Sequence, residues 1–307
     1  MEVIRTATHG DKLTALLLNK KLPDSDKKRV ENTINQYEAW IKNLTTTIPP
    51  GEDILTIFVS ALNNYKRHVE LDLIFDSDND FLYRQKGQLK LDNTVLEEFL
   101  PYLFDIRLVP GLKRLKNISC GPKSSFAGLS FDSPFMPLNS GGAFLKLKDQ
   151  DFAVSKEHKI IISEEPMSAE RYETVFSVSH FASEIKTNLD KTMFQEASQT
   201  AAELKKAVPG SKYILLCEYL DMTPINTKLT SIDEVIVLRK AKRLASNVRA
   251  EFSTANGRKH ARAKYENFLL NNPLQLECFK RFVWHLNELF PEKEEDSEDV
   301  VLSRGYF

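Results

Sequence analysis

The stretch "HFASEIKTNLDKTMFQEASQTAAELKKAVPGSKYILLCEYL", residues 180–220, decides the fold. Side chains alternate across a strand, so Phe181 and Ile185 point to one face while His180, Ala182, Glu184 and Lys186 share the other. The strand is expected over Val175–Lys186. A helix is expected from about Asp190 or Thr192 to Ala207. Phe194, Ala197, Ala201 and Leu204 form its apolar stripe, Thr192 and Gln195 have the spacing of a capping box, and Pro209-Gly210 ends it. Lys212–Leu220 is a short apolar run suited to a buried strand.

Upstream, Asp151–Ser155 and Lys159–Ser163 read as two more strands, with Pro166 and Met167 in the connection to the third. Phe152 and Val154 alternate as core residues, which leaves Asp151 on the opposite face. The 33 positions from Asp151 to Glu184 leave room for one intervening strand plus a loop, so the two carboxylates can converge at the strand ends. Two converging carboxylates suit Mg²⁺, a hard cation that takes one or two carboxylates and keeps several waters. The Ile185 carbonyl is a candidate third ligand. Such a site suits phosphodiester hydrolysis. The cation neutralises phosphoryl charge and lowers the pKa of the attacking water, while Lys186 orients or deprotonates that water. An acid and a lysine two apart are often only a surface ion pair. The combination with an upstream Asp, a hairpin, a following helix and a buried strand is what points to a nuclease.

The rest of the chain frames this centre. Val30, Ile34, Tyr37, Ile41 and Leu44 recur at helical spacing, and Pro49-Pro50-Gly51 stops the run. A second helix is expected from Asp53 to about Val69, and Asn93 or Thr94 caps a short one through Leu100. Between Pro110 and Ser140 the chain is too rich in Gly, Pro and Ser for one long helix. Asn272-Pro273 is read as a cap with proline at the first helical position; Leu276, Phe279, Val283, Leu286 and Phe290 continue in register until Pro291. The expected fold is α/β (α+β): a mixed central sheet flanked by helices, with an N-terminal helical region over residues 1–90. The core then spans 91–250, and a basic and helical segment with an acidic tail spans 251–307.

The net charge of −1 hides an uneven distribution. One basic run holds Arg239, Lys240, Lys242, Arg243, Arg249, Arg258, Lys259, Arg262 and Lys264. A smaller one holds Lys113, Arg114, Lys116 and Lys123, while acids crowd Glu292–Asp299. Both basic runs are candidate phosphate-binding patches for double-stranded DNA. Gln195 is a further candidate for the scissile phosphate or the lysine, with a plain helix cap as the alternative. Glu98 is read as a solvated helix residue, with a place near the metal as the alternative. Glu218 and Asp221 are read as structural or solvated. Cys120, Cys217 and Cys278 are too few and scattered for a disulfide framework. No run approaches a membrane span. The expectation is a cytoplasmic protein with reduced thiols and no membrane contact. The six histidines show no HxH or HxxxH spacing, and no phosphate-binding glycine loop or serine elbow is present.

Long stretches resemble a known group. "SEIKTNLDKTMFQEASQTAAELK" (Ser183–Lys205), "LKDQDFAVSK" (Leu147–Lys156), "HGDKLTALLLNKKLP" (His9–Pro23), "GQLKLDNTVLEEFLPYL" (Gly87–Leu103), "LVPGLKRL" (Leu108–Leu115) and "GPKSSFAGLSF" (Gly121–Phe131) are similar to the BbvCI- and DdeI-related restriction endonucleases. That resemblance implies a PD-(D/E)xK fold and type II cleavage of double-stranded DNA at a short sequence. It carries Asp151, Glu184 and Lys186 over as the catalytic set. The proline of the motif is replaced by Gln150, which leaves Asp149 as a rival to Asp151; the strand running on from Asp151 favours the latter. Some relatives work as two unlike subunits, so a second nuclease subunit, homologous or identical, is an expected partner. The alternatives are a structure-specific repair or recombination nuclease and a non-cleaving DNA-binding protein on the same fold.

Overall fold

The N-terminal periodicities become helices that bury their apolar stripes. The computed structural model describes residues 6–46, 53–131, 142–163, 171–293 and 297–306, without the side chains of 85, 86, 88 and 89. Pro49-Pro50-Gly51, Pro166 and Met167, and part of the acidic tail lie outside the described residues. Helices α1 (Thr8–Leu17) and α2 (Asp24–Thr45) pack together, with Val30, Trp40 and Leu44 buried. Asp53 caps α3 (Ile54–Arg67), its side chain accepting from the Thr56 amide, and the chain winds on as a π-helical segment, His68–Phe75. After α4 (Asp80–Leu89) comes α5 (Thr94–Phe99), a helix buried along its whole length.

That burial corrects one expectation. Glu98 is not solvated: it is 4% exposed and accepts hydrogen bonds from the amides of His9 and Gly10 and from the Tyr37 hydroxyl. His9 is buried beside it, with Nδ1 3.0 Å from Thr94 Oγ1 and Nε2 2.8 Å from Tyr65 Oη. The start of α1 is thereby pinned to α3 and α5.

Among the described residues the sheet has five strands in the order β1-β2-β3-β4-β5. They are β1 (Ile118–Phe131), β2 (Ala143–Ile162), β3 (Tyr172–Leu189), β4 (Lys212–Leu220) and β5 (Glu234–Lys242). The first three run antiparallel and the last three parallel, so the sheet is mixed, as expected. Helix α6 (Lys191–Ala207) is the crossover that a parallel β3–β4 pair requires. Its cap is Asp190, accepting from the Met193 amide, and not a Thr192–Gln195 box.

Three strands depart from the sequence reading. The punctuated stretch after Pro110 contains β1, whose Gly121-Pro122 sits at a register shift with Gly121 at φ +133°. A second shift follows at Phe126/Gly128, and such bulges absorb residues that a regular ladder rejects. The two short strands expected at 151–163 are one continuous β2. It pairs with both neighbours, Phe152 opposite Ser183 and Ala153 opposite Gly121. Asp151 and Glu184 therefore sit on adjacent strands, with none between them. A parallel bridge from Ser125 to Ser177 rolls β1 round toward the far edge of β3. Strand β5 was not expected at all, because its charged residues read as surface.

Helices α7 (Ser246–Glu251), α8 (Ala255–Asn271), α9 (Leu276–Leu289) and α10 (Glu298–Arg304) complete the chain. Helix α9 starts after Gln275, three residues later than the Asn272-Pro273 cap predicts. Its Phe282 ring lies 5.3 Å from that of Phe181 and 5.8 Å from that of Phe152, both in steep edge-on contact. The largest apolar core runs continuously from Leu13 to Phe290, and so crosses all three segments expected from the sequence. A second core lies between α6 and the other sheet face. No helix among the described residues is long and apolar enough to cross a membrane.

Burial, then the charge of Lys66, depresses the His9 pKa to about 3. An unfolded chain takes up that proton near pH 6.5 and the folded chain does not, so the contribution is present above pH 6.5 and is lost as pH falls toward 3. His9→Gln is expected to be less stable than wild type at pH 7. Between pH 7 and 5, however, its urea-unfolding free energy should fall by about 2 kcal/mol less.

Candidate active site

Strand alternation places Ile185 in the large core, 2% exposed, and turns Glu184 and Lys186 into a cleft of about 450 Å³. Lys186 Nζ lies 2.5 Å from Glu184 Oε1, and the Tyr213 hydroxyl, on β4, donates to Glu184 Oε2 at 2.8 Å. Both oxygens of Glu184 are thus oriented. Asp151 meets this strand directly, since its Oδ2 accepts from the Ile185 amide at 2.7 Å. The expected trio does converge. Asp149 also lines the cleft, but it is exposed and accepts from Ser124 Oγ, with no bond to the Glu184–Lys186 segment.

The electrostatics follow from burial. Burial pushes the Asp151 carboxyl up, only partly offset by the Ile185 amide and the Lys90 charge. Burial works against the Lys186 ammonium, yet the hydrogen bond and charge of Glu184, joined by Asp151, hold its pKa above the ordinary lysine value. Burial and the neighbouring Glu184 push the Tyr213 hydroxyl up, which keeps it a donor.

Two residues that the sequence reading passed over belong here. Asn93 lines the cleft and donates to Glu97 Oε1 at 2.9 Å; its amide nitrogen also reaches the Ile185 carbonyl at 3.5 Å. Glu97 is buried, and burial followed by the charge of Asp151 raises its pKa. The acid of α5 that feels Asp151 is therefore Glu97 and not Glu98. Lys90 is exposed on the cleft wall with backbone φ +50°. Gln195 is exposed on the first turn of α6, where Met193 is the residue that lines the cleft.

The donor set can be tested against a metal. Among the described residues no group of three or more His, Cys, Asp or Glu forms a cation cage. Asp151, Glu184 and the Ile185 carbonyl nevertheless supply only oxygen, in a cleft open to water. That fits a hard divalent ion which keeps most of its waters, such as Mg²⁺.

The basic runs divide sharply. Arg258 is 1% exposed; its guanidinium donates to the carbonyls of Phe75, Ser77, Asn79 and Phe252 and pairs with Asp80. Arg239 is 4% exposed and bridges Glu70 and Glu218. Neither reaches a DNA surface, which corrects the sequence reading. Lys259 pairs with Asp78, Arg262 with Asp76 and Glu266, and Arg243 with Asp221. Arg258, Lys259 and Arg262 therefore neutralise the acidic segment Asp72–Asp80. Lys113, Lys116, Lys123, Lys240 and Lys242 make no ion pair among the described residues. Arg114 donates to the Pro291 carbonyl, and none of the four earlier basic residues lines the cleft. Glu218 is structural, fully buried between Lys66 and Arg239.

A family model described as Bpu10I restriction endonuclease matches residues 88–307. A solved structure described as the native BbvCI A2B2 tetramer at low resolution aligns with TM-score 0.51 and 20% identity. The alignment covers 86% of this chain and 96% of that one. At that identity the likeness shows the fold alone. No curated protein matches the chain.

Removing Arg258 takes a buried donor from the carbonyls of Phe75, Ser77 and Phe252, and leaves the Asn79 carbonyl with only Ser77 Oγ and Asp80 with only Arg84. Arg258→Ala is expected to cost about 3 kcal/mol or more in chemical denaturation. Lys259→Ala, an exposed ion pair, should change stability by less than about 1 kcal/mol.

Proposed function

Because this chain belongs to the Bpu10I restriction endonuclease family, we propose that it is a type II restriction endonuclease, or one subunit of such an enzyme. In this reading it has a PD-(D/E)xK core and hydrolyses phosphodiester bonds of double-stranded DNA at a short sequence with Mg²⁺. The observation that carries this reading is the bond from the Ile185 amide to Asp151 Oδ2, which sets a half-buried acid against the Glu184–Lys186 pair in an open cleft.

Asp151, Glu184 and the Ile185 carbonyl would hold the cation, which when bound supplies charge neutralisation on the phosphoryl group and a more acidic water. The chain's own residues do the rest. Tyr213 fixes one oxygen of Glu184, so that carboxylate is presented in one orientation. The Lys186 ammonium faces the same cleft and donates to the attacking water or to the phosphoryl oxygen, where negative charge grows. Asn93 keeps Glu97 and the Ile185 carbonyl in place behind them. Exposed lysines, Lys240 and Lys242 among them, would bind phosphates along the duplex, so affinity should fall steeply with salt.

Asp151→Asn, Glu184→Ala and Lys186→Ala are each expected to lower plasmid cleavage by at least about 100-fold while gel-shift affinity for duplex stays within a few-fold. Cleavage near the wild-type rate by any of them removes that residue from the mechanism.

A second subunit follows from the same reading. One trio serves one scissile phosphate, a double-strand cut needs two, and the described residues hold one such trio. The BbvCI structure is a tetramer of two kinds of chain. Lys186→Ala in this chain, assembled with an unlike wild-type partner, should turn supercoiled plasmid into nicked circles cut on one strand. Untouched supercoils from the assembled complex would count against an unlike partner that cuts the other strand.

A further inference from the structure

Beside the catalytic cleft lies a second cavity, of about 320 Å³, at the lower end of the range that small ligands occupy. The two are continuous: Asp92, Thr187 and Asn188 line both. Thr187 and Asn188 directly follow Lys186 on β3, so the second cavity begins next to Lys186. Its walls are aromatic, with Tyr83, Tyr219, Phe252, Tyr265 and Phe268 contributing rings, and Leu244 closes one side. Arg243 and Arg249 also border it. Arg249 spends its Nε on the Leu244 carbonyl, and its two terminal nitrogens have no partner among the described residues.

One polar group in this cavity is unexplained by the fold. Asp92 is 7% exposed, and its backbone carbonyl accepts from Lys66 at 2.6 Å. Its carboxylate has no hydrogen bond or ion pair among the described residues, and its oxygens stay open to solvent rather than sealed in the core. The neighbouring Glu70 is different, since both its oxygens face Lys66 and Arg239. Asp92 is thus an acceptor free to meet a group that enters the cavity.

We propose that this cavity receives a nucleobase turned out of the duplex next to the scissile phosphate. Aromatic walls offer the stacking that a base loses on leaving the helix, and an inward-facing carboxylate accepts from the amino or ring N–H groups of its pairing edge. Arg249 at the rim suits the phosphate of that nucleotide. The inference rests on the reading that the chain cuts duplex DNA.

The test uses full-length Lys186→Ala protein bound to end-labelled plasmid fragments in Mg²⁺. The fragments are probed with permanganate for thymine, chloroacetaldehyde for adenine and cytosine, and kethoxal for guanine. The base left behind in the duplex becomes reactive even where the extruded one is shielded. The proposal expects reactivity several-fold above free duplex at one or two positions within the protected region. Asp92→Asn and Leu244→Trp, the latter filling the cavity, should each return that reactivity to the free-duplex level while protection persists. Protection without a reactive base, or reactivity that survives both substitutions, overturns the proposal and leaves the nuclease reading standing. Absence of any protected region overturns both.

Discussion

Four charges buried together hold this molecule in shape. Lys66 on α3, Glu70 on the π-helical segment, Glu218 on β4 and Arg239 on β5 are each at most 6% exposed. They pair at 2.7 to 3.4 Å, with two positive and two negative groups. Any one of them alone in that position would be prohibitively costly, so the four elements that carry them must arrive together. Burial opposes the charge on Glu218, yet Lys66 and Arg239 hold its pKa below the ordinary carboxylate value. Arg239 also donates to the Asn272 carbonyl, which ties in the turn between α8 and α9.

The same cluster reaches the candidate active site. Lys66 spends its remaining donor on the Asp92 carbonyl, and the next residue, Asn93, bonds Glu97 and reaches the Ile185 carbonyl. The N-terminal helices are therefore part of the support for the cleft. On the sheet side the support is local. Glu184 and Lys186 are two apart on one strand, Asp151 is tied to the amide between them, and Tyr213 on the next strand holds Glu184. Acids crowd together here and burial raises the pKa of two of them, Asp151 and Glu97. That environment favours an added cation.

What could be read from the sequence depended on whether an element had two different faces. Helices α2 and α9 each carry a polar side, so their period was visible, although α9 starts three residues later than its expected cap. Strand β4 was legible from its apolar run Tyr213–Cys217, and Glu184 and Lys186 because alternation on β3 separates them from Ile185. Helix α5 is buried on every side, so no polar face fixed its phase and Glu97 could not be told from Glu98. Strand β1 was hidden by Gly121-Pro122, which the bulge accommodates. Strand β5 was hidden by Arg239, which reads as surface until Glu70 and Glu218 are known to meet it. The dense basic run misled for the same reason. Its acidic counterpart, Asp72–Asp80, is remote in sequence and adjacent in space.

The central proposal is that this cleft cuts one strand of a duplex at a defined place. Sequencing the ends that the purified chain, alone or with its partner subunit, leaves on supercoiled plasmid in Mg²⁺ tests this most directly. The account predicts breaks at a few discrete positions sharing one short sequence, with none when Mg²⁺ is chelated. Ends scattered without a common sequence, or an intact plasmid under both conditions, would contradict it.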